Sequence, residues 1–127
     1  MYIFHSRAGY LVRCTTTNAH FFVDISHSSA HKFITACEQH GALNADTRVF
    51  TTHKHADHAG GNAEAAAEFQ RRTGAPLMVY GDAAVDRSPG VTHALRDGEV
   101  ISVGALSVRA IQTPCHTAGS MCGPACD

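Results

Sequence analysis

The sequence predicts an α/β protein whose mixed sheet carries helices on one side. Short runs of β-prone residues alternate with amphipathic helices in the order β-β-β-α-β-α-β-β-β. Apolar residues make up 44% of the 127 positions, which is enough to bury a core. No repeat or Pro/Gly-rich linker divides the chain, so residues 1–127 are interpreted as one domain or as part of one.

The first three predicted strands form an N-terminal run of antiparallel strands. They cover residues 2–4, 10–15 and 21–24, and Thr17-Asn18 is typical of a turn between the last two. A helix follows over residues 29–40, because Ala30, Phe33, Ile34 and Cys37 recur at helical spacing and Gly41 is a stop signal.

The remaining elements alternate in the same way. Predicted strands cover residues 48–51, 77–80, 100–103 and 106–112, and a second helix covers residues 62–73, with Asn62 expected as its N-cap. Residues 115–127 contain Gly119, Gly123 and Pro124 and are expected to form a loop.

Composition excludes several classes of function. Ten Lys and Arg against 11 Asp and Glu give a net charge of -1, so a nucleic-acid or anionic-lipid partner is not expected. The apolar runs are too short to cross a bilayer. No secretory signal is visible and the five cysteines are irregularly spaced, which predicts reduced thiols and a cytoplasmic location, with mitochondria as the alternative.

Histidine is the outlying residue type, with ten copies in the chain. His53, His55, Asp57 and His58 place four metal-ligand side chains within six positions, directly after a predicted strand. In an extended or turning backbone, residues two apart point the same way, so His53 and His55 can share one ion. Adjacent Asp57 and His58 cannot easily join them around a tetrahedral ion, and a second metal is the easier arrangement.

A catalytic zinc site needs a third histidine from elsewhere in the chain, and His116 at the end of a predicted strand offers one. Three imidazoles with an open position for water are typical of hydrolytic zinc, because the cation lowers the pKa of bound water to about 7. Asp24, at the end of another strand, is expected either beside this site or in a plain turn role. Lys54 is expected to face solvent.

Two runs carry a resemblance to a known family: T-H-x-H-x-D-H-A-G-G-N from Thr52 and T-P-C-H-T-x-G from Thr113. With strand signals between them, they resemble glyoxalase II over about residues 9–122. This family comprises the hydroxyacylglutathione hydrolases of the metallo-β-lactamase superfamily. The resemblance implies the N-terminal part of an αββα sandwich and two metals, usually zinc, with iron or manganese as alternatives. The implied reaction hydrolyses the thioester of S-D-lactoylglutathione to D-lactate and glutathione, a step of methylglyoxal detoxification.

The resemblance also implies roles for individual residues. His53, His55 and His116 would hold the first metal, Asp57 and His58 the second, and Asp57 would orient the attacking hydroxide as a catalytic residue. A bridging Asp, a final His and a C-terminal glutathione-binding helical domain are expected in that family and are not found in residues 1–127. The sequence is therefore interpreted as a partial domain with an incomplete second metal site and impaired activity.

Two other hypotheses stay open at this point. One is a persulfide dioxygenase-like enzyme with a single iron, since its loop often has the form H-x-H-A-D-H, as residues 53–58 do. The other is a non-catalytic remnant in which His53, His55 and His116 hold one zinc.

Overall fold

The computed structural model describes residues 2–6 and 9–126. The helices of this part are α1 (Ala30–His40), α2 (Ala56–Ala59) and α3 (Asn62–Thr73). The strands are β1 (Tyr2–Ser6), β2 (Gly9–Arg13), β3 (His20–Val23), β4 (Arg48–Phe50), β5 (Met78–Gly81), β6 (His93–Ala94), β7 (Val100–Val103), β8 (Leu106–Arg109), β9 (Ile111–Gln112), β10 (Met121–Cys122) and β11 (Ala125–Cys126). None of the helices in the described residues has the length and apolar character that a bilayer crossing requires.

The main sheet has six strands in the order β1-β2-β3-β4-β5-β6. The first three pair antiparallel, as the sequence predicts, and β3 through β6 pair parallel, so the sheet is mixed. A second sheet contains β7, β8 and β11, all antiparallel, and β9 pairs with β10.

Alternate residues of the central strands lie on opposite faces of the main sheet and divide the core into two layers. Leu11, Phe22 and Val49 belong to a buried cluster with α1 and α3. Their neighbours Val12, Phe21 and Phe50 belong to a second cluster with residues of β7 and β8. Because successive strand residues face opposite sides of a sheet, the main sheet lies between the helices and the second sheet. The expected α/β class with helices on one side is confirmed.

The long helices end where the sequence predicts. Gly41 follows α1 with φ +68° and Gly74 follows α3 with φ +74°, the left-handed conformation that glycine adopts at little cost. On the buried side, the ring of Phe33 contacts that of Phe22 edge-on at 4.5 Å between centroids. Side-chain packing therefore fixes α1 against the main sheet.

Two expectations are wrong, one about the C-terminal loop and one about the N-cap of α3. Residues 115–127 are not only a loop, because they contain β10 and β11; Met121 is 2% exposed and its N–H donates to the carbonyl of Thr52 at 2.8 Å. Asn62 is the first residue of α3 rather than its N-cap, which is Gly61. The buried Asn62 amide instead donates to Thr51 Oγ1 at 3.0 Å and to the Pro89 carbonyl at 2.9 Å.

Candidate metal centre

Two loops at one end of the main sheet bring the ligand histidines together. The first loop follows β4 and carries His53 and His55 into α2, and the second lies between β9 and β10 and carries His116. The second loop is closed at its base, where Thr113 N–H donates to the Ser120 carbonyl at 2.8 Å.

His53, His55 and His116 form a group of potential ligands whose nitrogen atoms all lie within 4.8 Å of one another. Among the described residues, it is the one group of three or more His, Cys, Asp or Glu side chains whose ligand atoms lie close enough together to bind one metal ion. His55 Nδ1 lies 3.0 Å from His116 Nε2. Tetrahedral zinc bonded to imidazole at about 2.05 Å would place its ligand atoms about 3.3 Å apart, so the observed spacing fits such an ion.

Hydrogen bonds around Asp24 orient the ring of His53. The Thr52 hydroxyl donates to Asp24 Oδ2 at 2.8 Å, so its oxygen can accept a hydrogen bond from the N–H at His53 Nδ1, 3.0 Å away. This tautomer leaves the lone pair on His53 Nε2 for a cation. Asp24 directly follows β3 with φ +64°, and its N–H donates to the Phe50 carbonyl at 3.0 Å, so of its two expected roles the structure supports the one beside the site.

The same carboxylate contacts the histidine expected at a second metal. His58 Nδ1 lies 2.7 Å from Asp24 Oδ2, and His58 Nε2 lies 3.5 Å from Asp57 Oδ2. The Asp57 side chain is 79% exposed, and the centre of the His58 ring lies 4.0 Å from that of His53, with the two rings tilted by 44°. The structure therefore places Asp57 and His58 next to each other and beside the three-histidine group, but outside it.

Burial affects the protonation of the innermost ligand. Burial, followed by the neighbouring His58, lowers the pKa of His53 below its ordinary value. The imidazole that binds a metal is the neutral form, so the environment of His53 favours the state that a ligand needs.

The backbone beneath the site is crowded, which explains the glycines that follow the histidines. A Cβ at Gly60 would lie 2.5 Å from the Ala56 carbonyl oxygen and 2.6 Å from His27 Cβ. Only a residue without a side chain fits there, so α2 can pack against the segment after β3.

Sequence reasoning missed two residues that support the site, Thr52 and Asp86. Thr52 links His53 to Asp24. Lys54 faces solvent as expected, with its side chain 42% exposed, and its Nζ also pairs with Asp86 at 2.8 Å. The position of Thr52 directly before His53 was a local signal for the contact between them. The partner of Lys54 is 32 positions away, and no local pattern indicates it.

No family model matches the chain. A probable hydroxyacylglutathione hydrolase of Schizosaccharomyces pombe is 42% identical over 74 residues, which are 58% of this chain and 26% of that protein. The hydroxyacylglutathione hydrolase of Rhodospirillum rubrum is 37% identical over 111 residues, 87% of this chain and 40% of that protein. The chain therefore spans less than half the length of these relatives.

Solved structures show the fold. A metallo-β-lactamase from Staphylococcus aureus superposes with a TM-score of 0.72 at 21% identity, covering 98% of this chain and 36% of that one. The chain has the metallo-β-lactamase fold. Its sequence is similar to part of the hydroxyacylglutathione hydrolases, so the chain is glyoxalase II-like. ETHE1 from Myxococcus xanthus superposes with a TM-score of 0.68 at 25% identity, over 98% of this chain and 54% of that chain. In this glyoxalase II-like chain, a three-histidine group within a metallo-β-lactamase fold supports a metal cofactor.

Proposed function

We propose that this chain carries the metal-binding part of a thioester hydrolase whose substrate is S-D-lactoylglutathione or a related glutathione thioester. The observation that carries the proposal is the convergence of His53, His55 and His116 from two loops 61 positions apart. The similarity to hydroxyacylglutathione hydrolases over 111 residues supports the choice of substrate.

The residues present suit this reaction. A bound divalent cation supplies a nucleophilic water near neutral pH and polarises the thioester carbonyl. His53, His55 and His116 hold that cation, and we propose zinc as its identity, with iron or manganese as alternatives. Asp24 and Thr52 keep His53 in the tautomer whose Nε2 lone pair would be available to the cation.

Asp57 is the proposed catalytic residue. Its carboxylate is exposed beside the three-histidine group, so it can accept a hydrogen bond from the attacking water and orient it toward the substrate. Asp57 and His58 are also the proposed ligands of a second metal. Their oxygen and nitrogen atoms lie 3.5 Å apart, a separation that supports shared coordination.

The test is metal analysis of the purified chain combined with hydrolysis of S-D-lactoylglutathione. We expect the zinc-loaded protein to release glutathione, and His116→Ala to lose at least one equivalent of metal together with the activity. His31→Ala removes an exposed histidine of α1 and serves as the matched control, which should retain both.

Other outcomes would favour the competing hypotheses. One equivalent of iron with oxygen uptake on glutathione persulfide would favour the persulfide dioxygenase-like enzyme. One equivalent of zinc without turnover would favour the non-catalytic remnant. Hydrolysis that is unchanged in His116→Ala would contradict the proposed function.

A further inference from the structure

Asp86 lies between the two loops that carry the ligand histidines. Its Oδ1 accepts a hydrogen bond from Lys54 Nζ at 2.8 Å, and Lys54 lies between His53 and His55 in the chain. Its Oδ2 accepts from the N–H of Gly119 at 2.7 Å, three residues after His116. We call these three residues, Lys54, Asp86 and Gly119, the Asp86 bridge.

The carboxylate of the Asp86 bridge has a fixed position. Asp82, which is buried, accepts the N–H of Asp86 on Oδ2 at 2.6 Å and the N–H groups of Ala84 and Val85 on Oδ1. These bonds close a turn directly after β5, so Asp86 is held by a strand of the main sheet. A carboxylate on such a turn can act as a rigid connection between the two loops.

The approach of the second loop depends on glycine. A Cβ at Gly119 would collide with the Asp82 carboxylate and would lie 3.0 Å from Asp86 Cβ. The loop that carries His116 therefore packs directly on the turn that carries Asp86. Because the two are in direct contact, the position of the turn determines where the loop can lie.

The environment keeps the carboxylate charged. Hydrogen bonds from Lys54, Thr117 and Gly119 lower the pKa of Asp86 to about 2. The Asp86 side chain is only 7% exposed, whereas that of Lys54 is 42% exposed. Charge-assisted hydrogen bonds to a shielded carboxylate are stronger than neutral ones, and leaving such a group without partners is costly.

We propose that Asp86 is a positioning residue of the metal centre, which joins the loop of His53 and His55 to the loop of His116. The proposal rests on the proposed metal site, because it assigns to Asp86 the convergence of that site's ligands. Without the bridge, the two loops lose a direct side-chain connection, and the three imidazoles are held together less well before an ion binds.

For one variant, charge alone and loss of the bridge predict opposite changes in cation affinity. Lys54→Met removes a positive charge next to a cation site, so electrostatics alone would strengthen cation binding. Loss of the bridge would weaken it. Asp86→Asn weakens binding under both explanations, so Lys54→Met is the discriminating substitution.

The experiment is a Co²⁺ titration of the metal-free chain, followed by visible absorption. We expect Asp86→Asn to raise the dissociation constant about tenfold, the lower end of the range for residues that orient metal ligands, and Lys54→Met to raise it by a smaller factor. Lys54→Met should add little in the Asp86→Asn background, since the shared interaction is already lost. Lys32→Met and Asp46→Asn, at exposed positions away from the site, are the matched charge controls and should bind like the wild type.

A second measurement needs no metal. Hydrogen exchange at the Gly119 amide should be faster in Asp86→Ala than in the wild type, while amides of α3 are unchanged. If Asp86→Ala does not fold, Lys54→Met carries the test through its Co²⁺ affinity.

Tighter Co²⁺ binding by Lys54→Met, or unchanged affinity and unchanged Gly119 exchange in the Asp86 variants, would overturn the bridge. A wild-type chain that binds no Co²⁺ would instead overturn the proposed metal centre. The exchange of the Gly119 amide would still report on the bridge in that case.

Discussion

His20 is the residue whose environment differs most from that of an ordinary histidine. It is fully buried, and neither ring nitrogen has a hydrogen-bond partner among the described residues. Burial, followed by the charges of Arg13 and His40, lowers the pKa of His20. The folded protein therefore keeps this imidazole neutral within its core.

This environment predicts acid sensitivity. The unfolded chain binds a proton at His20 below about pH 6.5, while the folded chain does so only at lower pH. Stability is thus fully present above pH 6.5 and is lost progressively as the pH falls from there toward the lower pKa of the folded state. His20→Leu should reduce the loss between pH 7 and pH 5, measured by urea unfolding at each pH.

The control for this prediction is His31→Gln, which changes an exposed histidine and should retain the wild-type dependence on pH. Part of the dependence should remain in His20→Leu, because burial also lowers the pKa of His53. An identical pH dependence in wild type and His20→Leu would contradict the assignment.

Residues close together in the chain were predictable, and distant partners were not. The alternating His53 and His55 indicated one ion, since residues two apart share a face of extended backbone. Asp86 had no such signal, because its contacts to Lys54 and Gly119 span more than 30 positions in opposite directions along the chain. Only the folded topology brings them together.

At the scale of elements, Asn62 connects the start of α3 to the main sheet. Its amide donates to Thr51 Oγ1, just after β4, and to the Pro89 carbonyl, and it is fully buried. Asn62→Ala should lower the free energy of unfolding by about 2 kcal/mol, because the buried Thr51 hydroxyl and the partly buried Pro89 carbonyl both lose a donor. Chemical denaturation measures this change.

Asn44→Ala is the matched control for Asn62→Ala. Asn44 makes local bonds to Gly41 and Asp46 at an exposed site, and its removal should cost less than 1 kcal/mol. Equal losses in the two variants would show that the buried position of Asn62 contributes nothing.

The long elements were predictable and the short ones were not. α1 and α3 have apolar residues at helical spacing and a glycine stop, so local pattern defines them. β6, β10 and β11 contain two residues each, too few for a periodic pattern, and form through pairing with β5, β9 and β8. The predicted strand over residues 106–112 divides into β8 and β9, because these pair with different partners.

At the scale of the whole molecule, the accessible surface indicates a well-packed chain. Its 6566 Å² is close to the roughly 6,500 Å² expected for a folded monomer of 13.5 kDa. Two buried clusters, one under the helices and one between the sheets, account for this packing.

Metal binding should therefore stabilise a structure that is already folded. At a free zinc concentration 100 times the dissociation constant, we expect about 2.7 kcal/mol of added stability and a Tm higher by roughly 10 °C. Differential scanning calorimetry with and without zinc measures the change, and a chelator should reverse it. The same rise in His116→Ala would place the stabilising ion elsewhere.

The hydrogen bond from Met121 N–H to the Thr52 carbonyl has a consequence for how an ion is captured. It anchors the chain after His116 directly beside the residue that precedes His53. The three rings therefore lose their conformational freedom when the chain folds and not when the ion binds. An arriving ion finds a preorganised set of ligands.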